Sequence, residues 1–167
     1  VERPSGESEP MRRITPRLRI HAFGWIAAGL FLGSHMARIA VIAPHPDDAE
    51  IGMGGTIARL AEQGHEILIV DMTDGCPTPV GDRATRLKEA AEAIKLLSPA
   101  PGKGRAVRRI LLDLKNREVE HTIQARHRLA AAYRAHQAEI VFVPHPLDAH
   151  PDHMGGNAEF TDLLAMR

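Results

Sequence analysis

The sequence predicts an α/β fold: a mostly parallel sheet covered by helices on both faces, with its site at the carboxyl edge of the strands. Two observations carry this. Short apolar runs alternate with longer stretches of helical periodicity, the pattern of strand–helix–strand units. Two of the runs end in clusters of His and Asp, His45-Pro46-Asp47-Asp48 and His150-Pro151-Asp152-His153. Open α/β sheets place their sites beyond the strand ends in this way.

Ile39 to Ala43 is wholly apolar and reads as the first strand. The small residues Gly52 to Gly55 lead out of the first cluster into a helix over Gly55 to Gln63, where Ile57, Leu60 and Ala61 share a face. Gly64 ends it as a C′ glycine. Glu66 to Asp71 is the second strand, its four consecutive apolar residues suiting burial on both faces. A loop from Met72 to Gly81 follows, carrying Thr73-Asp74-Gly75. Asp82 to Leu97 is an amphipathic helix with Ala84, Leu87, Ala91, Ile94 and Leu97 on one side, broken by Pro99 to Gly104. Arg109 to Leu114 is the third strand. Thr122 to His136 is a helix with Leu129, Ala132 and Tyr133 facing inward, and Glu139 to Val143 is the fourth strand. The second cluster comes next, and Gly155 to Met166 opens a last helix. With right-handed crossovers, strands one and four end on the same edge, so the two clusters can meet.

The totals bound the function. A length of 167 residues is a prior for one domain. Twenty-one basic residues balance 21 acidic ones, so no net field favours nucleic acid or an acidic membrane surface. A single cysteine, Cys76, excludes an internal disulfide and a thiolate-rich zinc site. Aromatic residues are only 4% of the chain, too few for stacking platforms. Gly33-Ser34-His35-Met36 matches the remnant that cloning vectors leave before a first methionine. Residues 1–35 are therefore expected to be a leader or expression-derived segment outside the fold, with one domain over 36–167. The apolar run Phe23 to Leu32 is too short to span a bilayer, which needs roughly 20 residues. A cytoplasmic protein is expected.

The two clusters carry the chemistry. Imidazole and carboxylate donors with an open position make a catalytic zinc site. His45, Asp48 and His153 are the expected metal ligands. A bound metal would lower the pKa of water from about 15.7 to about 7. Asp47 would take the proton as general base. His150 would stabilise the oxyanion and donate to the leaving amine, with Asp152 orienting it by accepting its other N–H.

These residues resemble the PIG-L/LmbE-like de-N-acetylases. His45-Pro46-Asp47-Asp48-Ala49-Glu50 is similar to that family's His-Pro-Asp-Asp-x-Glu signature, and His150-Pro151-Asp152-His153 to its His-x-Asp-His. Thr73-Asp74-Gly75 and the pair Arg86 and Glu89 resemble further family motifs, in the family's order from Met36 onward. The resemblance implies a Rossmann-like three-layer sandwich and metal-dependent hydrolysis of an N-acetyl group on an N-acetylglucosamine-containing small molecule or glycoconjugate. It implies the same ligand, base and acid assignments, with Arg86 contacting substrate at the pocket rim. The cofactor expected is Zn2+, with Fe2+ or another divalent metal compatible with the same donors. The chain stops 14 residues after His153, whereas the family continues with further strands and helices, so the domain is expected to lack its C-terminal part. Arg17-Leu18-Arg19-Ile20-His21 itself resembles a late family segment.

Bland readings stand beside these. Arg86 has Asp82 and Glu89 within helical pairing distance. Glu50 either binds a substrate hydroxyl or holds the glycine-rich turn. Asp74 is first a turn residue and second a substrate contact. His145 is read as loop packing, and His65, His121, His127 and His136 as solvent-facing. Met53 and Met72 read as pocket packing. Two functions compete with deacetylation. One is a non-haem iron enzyme, which uses the same two-His, one-carboxylate triad. The other is a metal-binding but inactive fragment. A nucleotide-binding protein is the weakest reading, since no G-x-G-x-x-G follows the first strand. The expected partner is an N-acetylated sugar, with no nucleic acid and no membrane; a homo-oligomer is compatible with the sequence.

Overall fold

The structure, a computed structural model, describes residues 19–22, 36–120 and 122–165, and of residues 19–22 and 159–165 the backbone alone. Strands β1 (Arg19–Ala22), β2 (Arg38–Ala43), β3 (Glu66–Thr73), β4 (Arg108–Leu114) and β5 (Ile140–Val143) form one sheet in the order β1-β5-β2-β3-β4, every pairing parallel. Helices α1 (Asp48–Glu62), α2 (Arg83–Leu97), α3 (Ile123–His136) and α4 (Pro151–Ala165) connect or follow the strands. This is the α/β architecture that the alternation predicts.

The strand alternation sorts two cores. Ile39, Val41 and Ala43 of β2 pack with Ile57, Leu60 and Ala61 of α1 and with Leu97 of α2. Ala40 and Ile42 point the other way, into a cluster with Leu129 and Ala132 of α3. Burial on both faces explains the unbroken apolar runs. From β2 the chain steps outward through β3 to β4, then α3 returns it to β5 on the opposite side of β2. The order therefore reverses between β2 and β5. That reversal opens the crevice where such sheets hold ligands, and both His-Asp clusters follow these two adjacent strands.

Several boundaries and faces differ from expectation. α1 begins at Asp48, one turn and more before Gly55, although Met53 (φ −155°, ψ 25°) is non-helical inside it. The glycine-rich stretch thus kinks the helix rather than preceding it. Gly64, at φ +90°, closes α1 as predicted. α2 turns its Ala90–Ile94–Leu97 stripe inward and leaves Ala84 and Ala91 exposed. Its cap is Asp82, which accepts the N–H of Thr85, and Thr122 caps α3 in the same way. α4 begins at Pro151, which puts the second cluster on its first turn.

His65 and His136, read as solvent-facing, are buried at 4% exposure each. His65 Nδ1 accepts the Ala37 N–H at 3.1 Å. His136 Nε2 donates to the Ile39 carbonyl at 3.0 Å, while its Nδ1 accepts from Arg108 at 2.9 Å. Each imidazole pins a point on β2 or its entry, a role that one-dimensional periodicity does not register. His127 is exposed as expected; His121 lies outside the described residues. Met72 is fully buried and Met53 partly so, both as packing.

Arg19–Ala22 corrects the expectation that all of residues 1–35 stands apart from the fold. These four residues pair in parallel with Ile140–Val143 and extend the sheet beyond β5. The unpaired backbone groups of an outer strand are what such a segment satisfies. The remainder of 1–35 lies outside the described residues. Among the described residues, no helix is long and apolar enough to cross a membrane.

Candidate metal centre

The first cluster forms where β2 becomes α1. The His45 carbonyl accepts the N–H groups of Asp47 and Asp48, and the His45 N–H donates to Asp48 Oδ2 at 2.8 Å. This tight reciprocal turn aims both the imidazole and the carboxylate off the sheet edge. The second cluster rides on the start of α4. Gly155 lets that helix approach closely, because a Cβ there would lie 2.2 Å from the Val119 carbonyl oxygen. Any side chain would push α4, and with it His153, away from the crevice.

The clusters meet. Asp48 Oδ2 is 3.2 Å from His45 Nδ1 and 3.2 Å from His153 Nε2. The rings of His45, His150 and His153 lie with centroids 4.8–5.4 Å apart. Donor atoms of these three histidines all fall within 4.8 Å of one another. Bonds of about 2.0–2.2 Å around a tetrahedral metal place neighbouring donors about 3.3 Å apart. The spacings around Asp48 Oδ2 match that value, and imidazole nitrogen with carboxylate oxygen is the donor chemistry of zinc or iron. The residues present therefore fit a divalent transition metal.

Electrostatics point the same way. Burial alone would raise the Asp48 pKa, but hydrogen bonds from His153 and His45 outweigh it and hold the carboxyl well below its usual range. The hydrogen bond to Asp48, aided by Asp148 and opposed by burial, pushes His153 up to about 9. Burial lowers His45, yet Asp48 and Asp152 together leave it raised. Without a metal, the cluster thus holds its charge balance with protons, the ones that a metal ion would displace.

The other residues predicted for the site separate into three groups. Asp47 and His150 line a cavity of about 220 Å³ beside the cluster, as does Arg86. The Arg86 guanidinium reaches Asp47 Oδ2 at 3.3 Å, rather than Asp82 or Glu89 side chains on its own helix. Gly75, at φ +72°, lets the β3–α2 loop lie against it: a Cβ there would be 3.0 Å from Arg86 Nη2. Asp152 is in the site but not in the role expected. Its carboxylate does not receive a His150 N–H; its backbone N–H instead donates to His150 Nδ1 at 3.2 Å. Asp152 Oδ2 faces His45 Nε2 at 3.1 Å and accepts the Arg117 N–H at 2.7 Å, while Oδ1 accepts the Val119 N–H at 3.2 Å. As the second residue of α4, with 1% exposure, it is turned inward to the β4–α3 loop, where His150 is not.

Glu50 and Asp74 do not line the cavity. Glu50 takes two contacts from Arg109 Nη2, at 2.7 and 2.9 Å. Asp74 accepts the Cys76 N–H at 2.8 Å and pairs with Arg83, which also bridges to Asp113 at 2.8 Å. The Cys76 contact is the turn role expected of it. His145 is exposed, with Nδ1 accepting the Leu147 N–H, in keeping with loop packing.

Residues that sequence reasoning missed complete the site. Asp148 Oδ2 sits 3.0 Å from His153 Nδ1 and sets that ring's orientation. Asn116 and Arg117, just past β4, line the cavity. Asn116 Nδ2 donates to the Pro77 carbonyl at 3.2 Å, and its buried Oδ1 has no hydrogen-bond partner among the described residues. The available signal was topological: the loop after β4 opens on the same sheet edge as the two clusters.

Comparison with known proteins agrees with this geometry. The chain is 29% identical over 127 residues to diacetylchitobiose deacetylase of Thermococcus kodakarensis, covering 70% of this chain and 45% of that one. Among solved structures, a conserved protein of Thermus thermophilus superposes with a TM-score of 0.68 and 34% identity, over 78% of this chain and 56% of that one. N,N′-diacetylchitobiose deacetylase of Pyrococcus horikoshii gives 0.67 and 32%, over 78% and 50%. The chain spans about half the length of these relatives. Residues 40–163, which include both clusters and the crevice between them, match the PIG-L family, described as GlcNAc-PI de-N-acetylase, and the chain belongs to that family.

Proposed function

We propose that the protein is a metal-dependent hydrolase that removes the N-acetyl group from an N-acetylglucosamine-containing small molecule or glycoconjugate. The observation that carries this is that Asp48 Oδ2 lies 3.2 Å from both His45 and His153, beside a cavity lined by Asp47 and His150. Relatives named as diacetylchitobiose deacetylases support the amide as the bond broken.

His45, Asp48 and His153 would hold the ion, zinc in this reading. When bound, it would supply Lewis acidity and lower the pKa of water to about 7. Asp47, half-exposed and facing the cavity, takes the proton from the attacking water at its carboxylate. Arg86, 3.3 Å away, keeps that carboxylate oriented toward the cavity. Water adds to the acetyl carbon, the C–N bond breaks, and the amine nitrogen must gain a proton. In this reading His150, exposed at the cavity wall, gives it.

The test is elemental analysis together with acetate release from N-acetylglucosamine conjugates. One metal per chain plus acetate is expected. Metal without acetate from any conjugate would favour a metal-binding, inactive fragment. Turnover that stops when oxygen is removed would favour an iron enzyme.

A further inference from the structure

The first turn of α1 carries Asp48, which the reciprocal turn with His45 ties to the end of β2, but little in the helix itself fixes the residues that follow. The N-cap, Asp47, makes no side-chain capping hydrogen bond. Five residues after Asp48, Met53 leaves helical geometry, so the turn is not continuous with the rest of α1. Ile51 on this turn is 81% exposed and contributes no packing. Ala49 is buried but small. Glu50 is different: it spans to Arg109 on β4, two strands away from the β2 that leads into the turn.

Arg109 is built for this contact. Its side chain is 9% exposed. Nη2 grips both Glu50 oxygens, Nη1 donates to the Ala90 carbonyl of α2 at 3.1 Å, and Nε lies 3.1 Å from Asp71 Oδ2 on β3. One guanidinium thus joins α1, α2, β3 and β4 behind the metal centre. Two carboxylates share its single charge. Burial, against the pull of Arg109, pushes Asp71 up to about 7, and Asp71 Oδ1 has no hydrogen-bond partner among the described residues. The cation is therefore matched to Glu50.

We propose that Arg109 is a positioning residue that, through Glu50, holds the first turn of α1 so that Asp48 stays in register with His45 and His153. The inference rests on the reading of Asp48 as a ligand. The partners that orient metal ligands commonly change affinity by about 10- to 100-fold when removed, and Arg109 acts one step further out, through the backbone of the turn.

Zinc affinity, by chelator competition, and denaturant unfolding would be measured on the wild type, Arg109→Gln, Glu50→Gln, the double variant and Arg109→Lys. Each Gln variant should weaken zinc binding by about tenfold or more. The double variant should match the weaker single to within about twofold, because the two residues act as one link. Arg109→Lys should recover part of the loss. Leu129→Ala, in the core on the other side of the sheet, lowers stability without touching this link and should leave zinc affinity unchanged. If Arg109→Gln does not fold, Glu50→Gln alone carries the test. Wild-type zinc binding with an unaffected Glu50→Gln or Arg109→Gln would overturn the inference alone, as would an equal loss in Leu129→Ala. A wild type that takes up no zinc would overturn the metal site itself, and the inference with it.

Discussion

The two His-Pro-Asp clusters look like copies of one another and do different things. In His45-Pro46-Asp47-Asp48 the third residue, Asp47, has a side chain 45% exposed, lines the cavity and meets Arg86. In His150-Pro151-Asp152-His153 the third residue, Asp152, is 1% exposed and is spent on two backbone N–H groups and His45. The backbone makes the difference. Asp47 precedes α1 as its cap and lies on the open side of the turn, whereas Asp152 is already inside α4 and turned toward the β4–α3 loop. The fourth residues, Asp48 and His153, point at each other from opposite sides of the crevice. Equal letters in a motif therefore do not confer equal roles. An exposed carboxylate at a cavity can exchange protons; a buried one that satisfies backbone donors serves as structure.

That contrast breaks down into measurable differences. The largest is in turnover. Asp47→Asn should lower kcat by about 10²–10⁴-fold. It should keep the metal and shift stability by no more than about 1 kcal/mol, since Asp47 is half-exposed and makes no capping hydrogen bond. Full activity in this variant would show that Asp47 is not the base. The corresponding change in the second cluster, Asp152→Ala, should act first on folding. It orphans the Arg117 and Val119 N–H groups and should cost about 2–4 kcal/mol in urea unfolding. An Asp152→Ala protein as stable as the parent would contradict the structural role.

A smaller effect separates the fourth residues. His153 is raised to about 9 by its hydrogen bond to Asp48, so in the metal-free protein it holds a proton at neutral pH. The sign follows. Its contribution to metal-free stability is complete below the ordinary His pKa of about 6.5 and is lost as pH rises through about 9. Metal binding must expel that proton, so apparent affinity should climb by up to about tenfold per pH unit between about 6.5 and 9. Flat affinity across this range would mean that His153 is not a ligand that must deprotonate.

The sequence was most informative where chemistry is contiguous. Ile39 to Ala43 and Ile67 to Val70 are unbroken apolar runs, and burial on both faces is what such runs mean; both lie in strands, β3 running on through Thr73 into the stretch expected as loop. The two clusters were legible because four chemistry-bearing residues stand together at a strand end. What was not legible is scattered. Arg109 is one arginine in a strand, and nothing local says that it reaches Glu50 59 residues away. Asn116 becomes a cavity residue only because β4 ends beside β3. Asp148 needs α4 to start at Pro151 before it can meet His153. The role of Asp152 depended on which way one helical turn faces, which residue type alone does not fix. The four residues of β1 are too few to signal a strand by periodicity.

The central claim is that two distant clusters hold one metal ion between them. Metal content of purified His45→Ala and His153→Ala, measured beside the wild type after equal reconstitution, tests it most directly. One ion per chain in the wild type and close to none in either variant is the result this geometry predicts. A full equivalent of metal retained in both variants would contradict it, and would place any ion elsewhere than between the ends of β2 and β5.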